Sequence, residues 1–186
     1  MSLDCRVFRF IAAIALLNLM VLEAGAANFS TNNPNVVTPE WIEENAPPPP
    51  AFDKNRVLQL DMPIHVSVKV GVDPDTISVG ASDSVVRYVM VMTSNSGNTY
   101  AVYEGIRCTT DEVKTYARWS ASGKWNLIAE PKWQEINDNQ PSPHAFIFAR
   151  RAACPVHVAA SKNEIVATLK GALPKSGGRN IYVPTE

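Results

Sequence analysis

Asp83-Ser-Val-Val-Arg-Tyr-Val-Met-Val-Met-Thr-Ser-Asn-Ser-Gly-Asn-Thr-Tyr-Ala-Val-Tyr-Glu-Gly-Ile-Arg-Cys108 is the stretch that decides the fold. Two runs rich in β-branched and aromatic residues flank Ser94-Asn95-Ser96-Gly97. Gly97 can take the left-handed backbone that closes a three-residue hairpin loop with a G1 bulge. Ser94 then faces Asn98, and Tyr88 stands opposite Glu104. A two-residue Ser96-Gly97 loop is the alternative, and it would slip the register by one and flip one strand's faces. With the longer loop, one face collects Val86, Tyr88, Met90 and Met92 with Tyr100, Val102, Ile106 and Cys108. It is the more apolar and is assigned to the core. The other face, with Val85, Arg87, Val89, Val91, Ala101, Tyr103 and Arg107, is expected to point outward.

The same loop chemistry recurs at Ser120-Ala121-Ser122-Gly123. Val113, Thr115, Ala117 and Trp119 alternate before it with period two, and the loop geometry sets Trp119 opposite Trp125. The segment around Trp133 and Ile136 has no clear state. Ser142 as N-cap, Pro143 at N1 and the stripe Ala145, Phe148, Ala149 and Ala152 predict a helix that Pro155 stops, with Arg150 and Arg151 near its end. Ser161-Lys-Asn-Glu164 is a capping box for a second helix, closed by Gly171.

Upstream, Val57 to Leu60 predicts a short strand. Ile64, Val66, Val68 and Val70 alternate with His65, Ser67 and Lys69, a one-face-buried strand with His65 on its solvated side. Asp73-Pro74-Asp75 reads as a turn and Thr76 to Val79 as another short strand. Strands first and helices last imply an α+β fold, an antiparallel β-sheet of about six or seven strands with two C-terminal helices packed on it.

The N-terminus carries Arg6 and Arg9, the apolar run Phe10 to Leu22, and the small residues Ala24-Gly25-Ala26-Ala27. That order describes a secretory signal spanning residues 1–26, too short to cross a bilayer comfortably. An uncleaved N-terminal anchor is the alternative. Residues 27–55 read as a Pro/Asn-rich tether, with Thr38-Pro39-Glu40-Trp41-Ile42-Glu43-Glu44 forming one helical turn and Trp41 and Ile42 docking on the domain. A partner-binding peptide is the second reading of that turn. Residues 56–171 form the single α+β domain, and 172–186 a flexible tail.

The whole chain has 186 residues, a net charge of -1 and three cysteines. Mixed charge near zero argues against a nucleic-acid partner. Signal cleavage removes Cys5 and leaves Cys108 and Cys154, which in an exported protein pair most simply as one disulfide; two buried thiols are the alternative.

Catalytic patterns are absent. There is no Gly-x-Ser-x-Gly elbow, and His65, His144 and His157 sit in unrelated contexts. The histidine and cysteine spacings fit no metal site, and no cofactor is expected. Two constellations remain. Arg87 and Arg107, diagonal neighbours beside Tyr103, could hold a carboxylate or phosphate. The competing reading pairs them internally with Asp83, Asp111 or Glu112. Glu104, on the core face, is either a perturbed general acid or a carboxylate satisfied by an arginine or a tyrosine.

At Asp83-Ser-Val-Val-Arg-Tyr and Tyr103-Glu-Gly-Ile-Arg-Cys the chain resembles the cryptic-neisserial-protein-one-like family of exported bacterial proteins, from about Trp41 to about Gly171. Gly is expected where Ser84 stands. The resemblance implies domain extent and export, and it carries no catalytic residue across. The reading reached is a non-enzymatic periplasmic binding or protein-interaction domain at a Gram-negative cell envelope, outer-membrane association included. Its partner would be an envelope protein or a small anionic ligand, met by Arg87, Tyr103, Arg107 and Glu104. The alternative is an envelope enzyme using Glu104 with Arg87 or Arg107.

Overall fold

The structure, a computed structural model, describes residues 40–120, 122–137 and 143–171. The signal segment, most of the tether before Trp41, Ser142 and the tail 172–186 lie outside those residues. The central hairpin pairs β4 (Val86–Thr93) with β5 (Thr99–Arg107). Tyr88 faces Glu104, as the loop chemistry requires. Gly97 sits at φ 86° and donates to the Ser94 carbonyl, while the Ser94 N–H donates to the Asn98 carbonyl. The second loop repeats this at Gly123, φ 77°, and joins β6 (Glu112–Trp119) to β7 (Trp125–Leu127) with Trp119 opposite Trp125.

Short strands complete an antiparallel sheet. β1 (Leu58–Gln59) pairs with β2 (Lys69–Val72), and β2 with β4. β3 (Ser78–Val79) follows β2 along β4, and β8 (Gln134–Glu135) follows β7 along β6. Eight strands are thus arranged in a main order β1-β2-β4-β5-β6-β7. Helix α1 (His144–Phe148) runs on into a π-helical turn at Ala149–Ala153, where the Cys154 N–H reaches the Ala149 carbonyl. Pro155 then ends it. Helix α2 (Lys162–Leu169) starts at the predicted capping box, with Ser161 accepting from the Glu164 N–H, and Gly171 follows it at φ 72°.

Both helical segments pack on one sheet face. Val70, Val72, Val86, Tyr88, Met90, Ile106 and Val113 meet Phe148, Ala149, Ala152 and Ile165 there. Burying each large apolar side chain contributes roughly 1.5–3 kcal/mol. Cys108 and Cys154 are disulfide-bonded across this core, with Cα atoms 5.2 Å apart. Among the described residues no helix is long and apolar enough to cross a membrane.

Several expectations are corrected. The face assigned to solvent is a second core: Val89, Val91, Ala101, Tyr103, Tyr116 and Ala117 lie under Ala46, Phe52 and Val57. Residues upstream of Arg56 thus pack against the sheet as well. Residues 40–44 are neither helix nor strand and form no helical turn, Trp41 docks, and Ile42 is exposed. Asp53 and Arg56, at the foot of this segment, gather on the fully buried carboxylate of Asp73.

The Ile64 alternation does not become strand until Lys69. A turn closes from the Val66 N–H to the Pro63 carbonyl, and Ile64 is 99% exposed. Tyr100, expected in the core, is exposed at the loop end of β5.

The stripe Val113, Thr115, Ala117, Trp119 is also split. Tyr103 pairs with Ala117 but Glu104 with Thr115, so Tyr116 is the extra residue of a β-bulge. Val113 stays in the main core while Ala117 and Trp119 join the second one.

Candidate functional site

Glu104 occupies the inner sheet face opposite Tyr88 and is 4% exposed. Tyr88 Oη donates to its Oε2 at 2.9 Å, Thr115 Oγ1 to its Oε1 at 3.1 Å, and His144 Nε2 lies 3.0 Å from Oε2. The bulge turns Thr115 toward the carboxylate, and the first turn of α1 delivers His144. Burial pushes the Glu104 carboxyl up, but the imidazole charge and the hydrogen bonds outweigh it and leave its pKa below the ordinary value. Burial, with the Glu104 charge, drives Tyr88 well up. A hollow of about 260 Å³ beside β6 is lined by Thr115, Arg118, Ile128, Glu130, Lys132 and Gln134, and Glu104 does not line it. The structure thus brings together Glu104 and His144, 40 residues apart, a pairing no spacing rule announces.

On the outer face, Arg87 is 2% and Tyr103 1% exposed. Arg87 Nη2 donates to Asp83 Oδ2 at 2.6 Å and to the Glu44 carbonyl at 3.2 Å. Asp83 also accepts from the Glu44 and Val85 N–H groups, and its carbonyl accepts from Trp41 Nε1. Burial pushes the Asp83 carboxyl up, yet the Arg87 hydrogen bond and two backbone donors bring it below the ordinary value.

Arg107 stands apart from Arg87. It lies 3.6 Å from Glu112 and stacks its guanidinium 3.9 Å from the Trp41 ring centre. Asp111 instead takes Arg150 and His157, each at 3.1 Å.

Glu43 is a hub that sequence reasoning missed. Tyr116 Oη donates to it at 2.8 Å and Trp133 Nε1 at 3.1 Å, and Lys114 Nζ pairs with it. Trp133 packs edge-on against Trp41, ring centres 5.8 Å apart. Gly105 makes room for the tyrosine, since a Cβ there would stand 2.6 Å from Tyr116 Oη. Burial and then Glu43 push the Tyr116 phenol far above its ordinary value.

One backbone angle ties this geometry to the expected family pattern. Ser84 adopts φ 56°, between Asp83, whose carboxylate pairs with Arg87, and Val85, whose N–H donates to that carboxylate. A left-handed residue favours glycine, which explains why Gly is expected there. A family model described as the CNP1-like family matches residues 37–170. The chain belongs to the CNP1-like family. In this CNP1-like chain, Asp83 and Arg87 thus build the outer-face ion pair, while Arg107 stacks on Trp41 and Cys108 is bonded to Cys154 just after the π-helical turn that extends α1. No curated protein and no solved structure matches it.

Proposed function

We propose that this chain is a non-enzymatic periplasmic interaction domain of the bacterial cell envelope. The observation that carries the reading is how the outer sheet face, buried beneath the chain's own segment 41–57, holds the acidic stretch Trp41–Glu44 chiefly by side chains of Arg, Lys, Tyr and Trp. A surface able to hold one such segment has the composition of an interface anchor, rich in Arg, Tyr and Trp.

The enzyme reading needs Glu104 at the base of a cleft, and Glu104 is enclosed by Tyr88, Thr115 and His144. Export is supported by the basic and apolar N-terminus and by the Cys108–Cys154 disulfide, a bond that persists in oxidising compartments.

The chain with its own N-terminus, tagged at the C-terminus, is expected to leave a Gram-negative host by osmotic shock without residues 1–26. In-cell crosslinking should then yield one adduct of defined mass with an envelope component. Retention in the cytoplasm with the N-terminus intact would refute the compartment. Turnover of a chromogenic ester, glycoside or phosphate that vanishes in a folded Glu104→Gln variant would install the enzyme reading instead.

A further inference from the structure

The strap from Trp41 to Phe52 is attached as a ligand is attached. Among the described residues, no backbone–backbone hydrogen bond joins it to the sheet. Its hold is concentrated at two ends. At one end Trp41 lies under Arg107 and gives its N–H to the Asp83 carbonyl, while Glu43 takes Lys114, Tyr116 and Trp133. At the other, Phe52 sits edge-on against Trp119 and Trp125, at 5.2 and 5.8 Å between ring centres. Between them run four consecutive prolines, which have no N–H to donate and stay extended by themselves.

We propose that this face is a groove for an extended acidic peptide carrying Trp two residues ahead of a Glu-Glu pair. Residues 41–52 are its occupant in cis, exchangeable for a segment of that chemistry on a partner protein. The inference deepens the interaction reading and rests on it. Complementarity at the Glu43 position selects the partner: Lys114 pairs with the Glu43 carboxylate, which Tyr116 and Trp133 also hold, while Arg87 gives Nη2 to the Glu44 carbonyl, Arg107 stacks on Trp41, and the Glu44 carboxylate is held by Ser82. A Gln in place of Glu43 would offer one uncharged oxygen to the three donors Lys114, Tyr116 and Trp133, and a basic or apolar side chain would offer none.

A tethered segment competes at an effective concentration on the order of millimolar. A free peptide is therefore excluded until the strap is weakened. The probe is a fluorescein-labelled synthetic peptide of the sequence Trp41 to Phe52, titrated by anisotropy into the full, oxidised chain. Wild type should show little binding at ~0.1 mM peptide, and Glu43→Gln should bind at least about tenfold more tightly because its own strap has lost the carboxylate.

In that background Lys114→Met should erase the gain, since only the incoming peptide still carries the glutamate that Lys114 holds. A peptide with Gln in that place should show no gain either. Phe52→Ala, which loosens the other end, is the second variant should Glu43→Gln fail to give native near-UV dichroism.

Equal, weak binding by wild type and both folded variants would overturn the proposal, as would equal binding of the Glu and Gln peptides. Strap exchange between two copies, seen as a dimer by light scattering, would replace the partner and overturn it too. A captured envelope partner without peptide binding would sink the groove alone, and peptide binding without any envelope adduct would sink the wider function alone.

Discussion

Glu104→Gln isolates the charge at the centre of the inner cluster while keeping its size. The carboxylate makes three side-chain contacts, with Tyr88 at 2.9 Å, Thr115 at 3.1 Å and His144 at 3.0 Å. Hydrogen bonds to a charged group contribute about 1.5–3 kcal/mol against about 1 for neutral pairs, so three contacts set a ceiling of about 6 kcal/mol. Part of that is offset because a neutral amide is cheaper to bury than a carboxylate. The expected loss is about 2 kcal/mol, or roughly 5 °C in Tm for a domain of this size.

The pH dependence carries the sharper test. The folded Glu104 pKa is depressed, so its contribution is fully present above the ordinary carboxyl value of about 4.3 and is lost as pH falls through the lower folded value. Urea unfolding of wild type and Glu104→Gln should therefore show a gap that does not shrink from pH 7 to 5. It should close below about pH 4. A gap unchanged down to pH 3, or a Gln variant as stable as wild type, would refute the view that an ionised Glu104 holds α1 to the sheet.

Three further outcomes are expected. In the denatured, unreduced full chain, alkylation should label Cys5 alone; reducing Cys108–Cys154, a 46-residue separation, should cost about 4 kcal/mol in the chain-entropy model. Trp125→Ala removes two edge-on contacts, with Phe52 and Trp119, and should destabilise by about 1–3 kcal/mol without unfolding the domain, read by urea titration. Ser84→Gly relieves a left-handed residue and should leave stability equal or up to about 1 kcal/mol higher, whereas a loss above that would contradict the strain assigned to φ 56°.

Local chemistry made the hairpins, the capping box and the disulfide legible. The first two are specified by residues whose meaning is local, glycine at a positive φ and serine and glutamate three apart, and the third by the count of two cysteines downstream of the N-terminal apolar run. The second core was not read, although its signal was present. Val85, Val89, Val91, Ala101 and Tyr103 make the outer face too apolar for solvent, which is the mark of a sheet buried on both sides. What covers it could not be read, because a proline-rich strap without helical or strand periodicity carries no pattern except its anchoring side chains. His144 likewise reaches Glu104 only through the docking of α1, and no local rule encodes that distance.

The bulge at Tyr116 shows how far one residue reaches. In an unbroken β6, Val113, Thr115, Ala117 and Trp119 would share a face. Trp119 and Ala117 are held on the outer face by Trp125, Phe52 and Tyr103. Regular alternation would then carry Val113 and Thr115 outward with them, and Glu104 would lose the Thr115 hydroxyl. Lys114 would turn inward and leave Glu43. The extra residue returns Val113 and Thr115 to the main core, points Lys114 at the strap, and sets Tyr116 on the same side as Ala117 with its hydroxyl on Glu43. Gly105, across the ladder, is the complementary requirement, since any side chain there would displace that hydroxyl. The buried carboxylate on one face and the acidic strap on the other are thus both consequences of a single insertion in β6. A change at Tyr116 that removed the bulge would be felt on both faces at once, which is why the two sites are one design and not two.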